Sequence, residues 1–278
     1  MNRLGTAAGA VLALVALSAT GACTNSEEPP STTPTSTSVT TSTTPTSTSV
    51  TTSTAPTSTS VTTSTAPTST VPPSKTSDEV PETVLAATRA AVHSVRGLDC
   101  RKAQVGTTFL IAPDLLVTSA HVVAGIEVPI LSVGAGEVSS RVVAFDPVSD
   151  LAILRTAEEL GEPLAMGEAT VGTAVALVAY DGDGMPVERH LTVRQAIRAT
   201  GEDIYGEPGS GRDALLLDGS VAYGNSGGPI VDGSGTVVGV VFANTRGGEG
   251  TSFAVQVGEV HVLLAEVGSS PVPPTECR

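Results

Sequence analysis

The sequence predicts an all-β domain of two barrels, closed by a C-terminal helix and preceded by a disordered stalk. Three observations lead there. After Pro81 the composition turns rich in Val, Ala, Leu and Gly for about 195 residues, enough for one well-buried domain. Within it, short β-branched or apolar runs recur between Gly, Pro and Asp, the pattern of a sandwich or of barrels. The stretch from Thr156 to Glu168 contains Gly161 and Pro163, lacks a strand period, and divides the β region into halves of comparable size.

The chain opens with Met1-Asn2-Arg3, an apolar run from Ala7 to Leu17, and the small residues Thr20-Gly21-Ala22 before Cys23. Eleven apolar residues cannot span a bilayer as a permanent helix, so residues 1–22 read as a cleaved export signal. Thr20-Gly21-Ala22-Cys23 resembles a bacterial lipobox, with Thr20 where Leu is usual, and implies lipidation of Cys23 and a lipid anchor in the membrane. Ordinary secretion after Ala22 is the alternative. Residues 23–80 form the stalk: 31 of the 40 residues from Ser31 to Thr70 are Ser or Thr, with an 11-residue repeat marked by Pro34, Pro45, Pro56 and Pro67. One Val per repeat and no aromatic cannot offset the entropy of ordering the backbone, so the segment is expected to be extended and solvated. As a flexible coil it would hold the domain about 40 Å from its anchor, and up to roughly 180 Å as polyproline. Its Ser, Thr and Pro content suits O-glycosylation as well as a bare linker.

In the domain, 81–278, a helix is expected over Glu82 to Ala91. Strands are expected at Thr107 to Ile111, Leu115 to Ser119, Val138 to Phe145, Leu151 to Leu154, Ala174 to Tyr180, Ala214 to Leu217 and Thr236 to Phe242. A last helix over Val257 to Val267 is signalled by Val260, Leu263, Leu264 and Val267 at three-to-four spacing.

Composition removes several function classes. A net charge of -14 repels phosphate backbones and excludes nucleic acid as a partner. Lys75 and Lys102 are the only lysines, so no polybasic patch draws the protein to a membrane surface. No two histidines lie at ligand spacing and no cysteines form a CxxC pair, so neither a metal nor a cofactor is expected.

Chemistry concentrates in three places. In Gly224-Asn225-Ser226-Gly227-Gly228-Pro229 a serine flanked by glycines can sit on a tight turn that exposes its hydroxyl and gathers backbone N–H groups. The apolar run Val117-Thr118-Ser119-Ala120 ends on His121, and Ser149-Asp150 stands at the mouth of Leu151 to Leu154. Nucleophile, base and orienting carboxylate are thus present in the order His, Asp, Ser. His93, His190 and His261 lack a neighbouring serine or acid motif and read as surface groups.

On these motifs the sequence resembles the trypsin-like serine peptidases, and the GNSGGP loop with the DLAIL strand is nearest the bacterial Deg/HtrA type. Arg194-Gln195-Ala196-Ile197-Arg198 and Asp203-Ile204-Tyr205-Gly206 extend the likeness, over Val95 to Arg278, to a mycobacterial periplasmic branch linked to acid resistance. The resemblance implies a fold of two six-stranded barrels of the chymotrypsin type and an endopeptidase of proteins or peptides. In it Ser226 is the nucleophile, His121 the base, Asp150 its orienter, and the Gly224 and Ser226 N–H groups the oxyanion hole. It places Phe242, Ala243 and Asn244 along the substrate backbone and Ser220, without an acid nearby, in the primary pocket, which disfavours basic side chains there. Asn225 cannot form the ion pair of trypsinogen-type activation. Only 34 residues follow Asn244, too few for a PDZ domain, so a bare catalytic domain is expected. Cys100 and Cys277 are expected to pair, as in the resembling branch, leaving Cys23 for the lipid. The enzyme is expected outside the cytoplasmic membrane and monomeric. A silent protease fold that holds peptides or cell-wall proteins is the competing reading.

Overall fold

The structure, a computed structural model, describes residues 79–244, 250–273 and 275–277. The export signal, Cys23 and the stalk as far as residue 78 lie outside the described residues. Among the described residues, twelve strands close into two six-stranded barrels. The first holds β1 (Val92–Leu98), β2 (Ala103–Ala112), β3 (Leu115–Ser119), β4 (Ile130–Val133), β5 (Gly136–Asp146) and β6 (Leu151–Thr156), in the order β1-β2-β3-β6-β5-β4. The second holds β7 (Ala174–Tyr180), β8 (Pro186–Glu202), β9 (Pro208–Asp218), β10 (Pro229–Val231), β11 (Val237–Asn244) and β12 (Thr251–Gln256), and its order β7-β8-β9-β12-β11-β10 repeats that of the first. Every pairing in both barrels is antiparallel.

The β-branched and apolar runs form strands because alternate side chains can enter a core. Leu110, Leu116, Leu131 and Leu154 fill the first barrel, and Leu177, Leu215, Leu217 and Ile230 the second. A third core lies between them: Phe109, Val117 and Ile153 from the first barrel meet Val178, Val240 and Val255 from the second. Helix α1 (Glu82–Arg89) caps this seam with Leu85, and helix α3 (Val257–Leu264) with Val257, Val260 and Leu263. Arg89 also ties α1 to the second barrel, hydrogen-bonding Glu82 and Glu188. The connector after β6 is stitched to both barrels, Leu164 N–H to Leu110 O and Val237 N–H to Ala165 O.

Both helices end earlier than the periodicity predicts. Residues 90–91 leave α1, and the chain enters β1, whose first four residues, Val92 to Val95, are all buried in the barrel. No helix among the described residues is long and apolar enough to cross a membrane. After α3 the chain returns across the first barrel: Arg155 donates to Gly268 O, Val272 N–H to Val142 O, and Gly125 N–H to the Thr275 hydroxyl. This strap delivers Cys277 to Cys100, bonded across 177 residues with Cα atoms 5.8 Å apart. Closing so long a loop stabilises the fold by at most about 5 kcal/mol through the unfolded chain.

His93 corrects the expectation of a surface group: it lies in β1, 6% exposed, with Nε2 buried and unpartnered. Burial depresses its pKa below 6.5, because the apolar surroundings penalise the charged ring. The sign of its effect on stability follows. Above pH 6.5 the ring is neutral in both states and contributes no pH dependence. Below it the unfolded chain binds a proton that the folded chain refuses, so stability falls with pH, by at most about 1.4 kcal/mol per pH unit, until the depressed folded value is reached. The difference in urea midpoint between pH 7.5 and 5.5 should therefore shrink in His93→Phe. An unchanged difference would mean the imidazole is not proton-free in the fold. His190 and His261 are exposed, as expected.

Candidate active site

The three chemical motifs meet at the seam. β3 ends at Ser119 and passes into the single-turn helix α2 (Ala120–Val123), which carries His121. The loop before β6 carries Asp150, 4% exposed and, at φ +60°, the one described non-glycine residue in the left-handed region. Asp tolerates that conformation better than most residues, at a cost of about 1 kcal/mol. The conformation is locked by what its atoms bind. Asp150 O accepts the Ala120 N–H (3.1 Å), Oδ1 accepts the His121 backbone N–H (2.9 Å), and Oδ2 lies 2.8 Å from His121 Nδ1. With Nδ1–H donated to the carboxylate, the other ring nitrogen, Nε2, is the proton acceptor.

Ser226 follows from the second barrel. Ala222 to Asn225 form a turn closed by Asn225 N–H to Ala222 O, with Gly224 at φ +90°, the value the third position of a type II turn requires. Asn225 is fully buried: Oδ1 accepts the Ala222 N–H and Nδ2 donates to Tyr180 O. The turn is thus fixed by a neutral amide inside one barrel. The N–H groups of Gly224 and Ser226 make no hydrogen bond among the described residues, although both adjoin well-bonded neighbours. Two unused donors flanking a serine hydroxyl can bind developing negative charge. Ser226 Oγ makes no hydrogen bond to His121 Nε2.

Thr107, in β2, joins the halves. Its N–H donates to Ser226 O (2.8 Å), its hydroxyl donates to Gly224 O (2.8 Å), and the same hydroxyl accepts the Tyr180 N–H (2.9 Å). A first-barrel threonine therefore sets the turn bearing Ser226 and Gly224. Only its place in an alternating strand is visible in the sequence; its partners are 73 and 117 residues away. Thr107→Val would leave Gly224 O and Tyr180 N–H buried and unpaired, about 1–3 kcal/mol for each. We expect kcat for peptide hydrolysis to fall about tenfold or more with KM nearly constant, and Thr107→Ser to restore it. Equal losses in Val and Ser variants would deny the hydroxyl this role.

The other expected site residues are placed as follows. Ser220 is exposed and accepts the Gly250 N–H at its hydroxyl (3.0 Å). Phe242, Ala243 and Asn244 form the end of β11, where Ala243 pairs with Phe253 and Asn244 with Ser252. Phe242 packs against Phe253 (ring centroids 6.1 Å apart), with the Arg212 guanidinium 4.5 Å above its ring. No three His, Cys, Asp or Glu side chains among the described residues are arranged to hold a metal ion.

The fold has counterparts among known proteins. The trypsin-like peptidase domain matches residues 106–240. The crystal structure of the active form of the Rv3671c protease from Mycobacterium tuberculosis superposes with a TM-score of 0.68 at 38% identity, covering 70% of this chain and 88% of that one. The chain belongs to the trypsin-like peptidase family. The full-length serine protease Rv3671c of Mycobacterium tuberculosis is 38% identical over 192 residues, or 67% of this chain and 48% of that protein. A second relative is the mitochondrial serine protease HTRA2 of Bos taurus, 32% identical over 164 residues, or 57% of this chain and 35% of that protein. The chain thus spans about half the length, or less, of these curated relatives. An inactive form of the Rv3671c protease superposes with a TM-score of 0.60 at 37% identity, covering 67% of this chain and 93% of that one.

Proposed function

We propose that the protein is an exported serine endopeptidase in which Ser226 attacks the scissile carbonyl. His121 takes the hydroxyl proton at Nε2 and returns it to the leaving amine, while Asp150 holds Nδ1–H and stabilises the imidazolium. The N–H groups of Gly224 and Ser226 bind the oxyanion, and water then releases the acyl group from Ser226 by the same proton path. One observation carries this reading: His121 Nδ1 is committed to a buried carboxylate while the Ser226 turn holds two unpaired N–H donors. The substrate backbone would lie along Phe242, Ala243 and Asn244. Ser220 would face the primary pocket, without an acid, which favours small or medium apolar side chains there. Lipidation at Cys23, with residues 23–80 as a tether and 81–278 as the peptidase domain, would hold the enzyme at the outer face of the cytoplasmic membrane. That position suits proteolysis of envelope proteins under acid or oxidative stress.

A fluorophosphonate probe tests the chemistry on the full chain. Labelling of the native protein, abolished in Ser226→Ala, is the expected result. No labelling at any pH from 4 to 9 would favour a silent peptide-binding protein instead. A peptide library cleaved mainly after Arg or Lys would overturn the pocket assignment.

A further inference from the structure

The β8–β9 hairpin is far longer than its barrel needs. Its strands still pair at Glu202 and Pro208, and residues 203–207 form a tip built around one carboxylate. Asp203 Oδ1 accepts the N–H groups of Tyr205 (2.8 Å) and Glu207 (3.0 Å), Asp203 N–H donates to Glu207 O, and Gly206 supplies φ +90°. Although the hairpin belongs to the second barrel, its tip inserts Ile204 into the core of the first. Ile204 is 8% exposed and packs in the core that contains Ala120, Val122 and Ala152, with Tyr205 beside it.

The contact falls on one loop. Ile204 N–H donates to Pro147 O (3.2 Å), and Gly209 lies beside Val148, whose Cγ1 would make ordinary contact, at 3.4 Å, with a Cβ at that position. From its other side the loop is held by Asp146, whose carboxylate accepts the Val148 and Ser149 N–H groups. The next residue is Asp150, in its left-handed conformation. A residue so placed keeps its geometry only where its surroundings over-determine it. The hydroxyls of Ser149 and Tyr205 are buried without partners, so at this contact packing and the single Ile204–Pro147 bond do the holding.

We propose that Ile204 is a positioning residue: as a plug from the second barrel it fixes the 146–150 loop and thereby the carboxylate that orients His121. The inference rests on the peptidase reading for its kinetic consequences but not for its structural ones. A displacement near 1 Å at the reacting groups can cost about 100-fold. Ile204→Ala should therefore lower kcat for a peptide substrate about 10- to 100-fold, with KM within about threefold, and Ile204→Val should recover most of the loss.

The decisive measurement is a cycle with Asp150→Ala, using the full chain. If Ile204 acts through Asp150, adding Ile204→Ala to Asp150→Ala should lower the residual rate by less than about twofold. A loss as large as in the native background, or an Ile204→Ala enzyme within about twofold of wild type, overturns the proposal. A second readout needs no activity. Amide hydrogen exchange followed by mass spectrometry should show faster exchange over residues 146–150 and at Ala120, which donates to Asp150, in Ile204→Ala than in wild type. Unchanged exchange there refutes the plug even if the chain proves to lack peptidase activity. Should Ile204→Ala fail to fold, Ile204→Val carries both measurements, with an expected kcat loss of about two- to fivefold and a smaller rise in the same exchange.

Discussion

Ser226→Ala is expected to lower kcat for peptide hydrolysis about a millionfold, and Asp150→Asn about ten-thousandfold, each with KM nearly unchanged. The two losses differ because the residues fail differently. Without Ser226 Oγ no acyl group can form, and what remains is the effect of the unpaired N–H groups of Gly224 and Ser226 on an attacking water. With Asn at position 150 the geometry survives but the donor pattern does not. Asp150 now accepts from both the His121 backbone N–H and Nδ1–H. An amide can keep one of these, but by presenting its own N–H to Nδ1 it favours the tautomer with the proton on Nε2, which cannot take a proton from Ser226. Because both residues serve one step, Ser226→Ala with Asp150→Asn should be no slower than Ser226→Ala alone. Additive losses would show that Asp150 acts elsewhere. Steady-state kinetics on a quenched fluorescent peptide distinguishes these outcomes.

The largest loss of stability is expected from Gly227→Ala. Gly227 sits at φ +85°, where an L side chain costs about 1–2 kcal/mol. The added methyl would also lie 2.2 Å from Thr107 O, 2.4 Å from the Thr118 hydroxyl and 2.8 Å from Ser119 N. None of these can retreat cheaply: Thr118 donates to Thr107 O (2.7 Å), and Gly227 N–H is bonded to Val241 O. Strain of that kind costs about 3 kcal/mol or more, a large part of the stability of a typical domain. We expect a loss of about 10 °C or more in Tm, with fluorophosphonate labelling reduced even below the transition. Gly258→Ala is the matched control. Gly258 is exposed in α3 with nothing within 4 Å of the place an added methyl would take, and alanine there should stabilise by about 0.5 kcal/mol. A Gly227→Ala protein as stable as wild type would mean that the turn has an alternative path around Thr107.

How legible each feature is in the sequence depends on how its residues earn their positions. β2, β3, β6, β7 and β11 announce themselves because both neighbours and core select Val, Leu and Thr. β8 does not: Arg194, Gln195 and Glu202 project from the barrel, so half its length has no buried face to impose a hydrophobic pattern. His93 is misread for a related reason, since β1 mixes polar with apolar residues, Val92-His93-Ser94-Val95, and gives no hydrophobic strand pattern to mark it as buried. The histidine, aspartate and serine motifs are readable because each couples a reactive group to a strand end or a glycine turn. Thr107 and Ile204 are not, because their importance lies wholly in contacts between barrels. The left-handed Asp150 also leaves no local mark, since Asp is common in turns of every kind.

The shared strand order of the two barrels has a further implication. A fold that repeats one six-stranded pattern is what duplication and fusion of a smaller unit would leave behind. Here the two barrels divide the proposed centre: the first carries His121 and Asp150, the second Ser226 and the unpaired N–H groups of Gly224 and Ser226. Neither barrel alone carries all the groups of the proposed centre, so the proposed chemistry needs both barrels folded and joined.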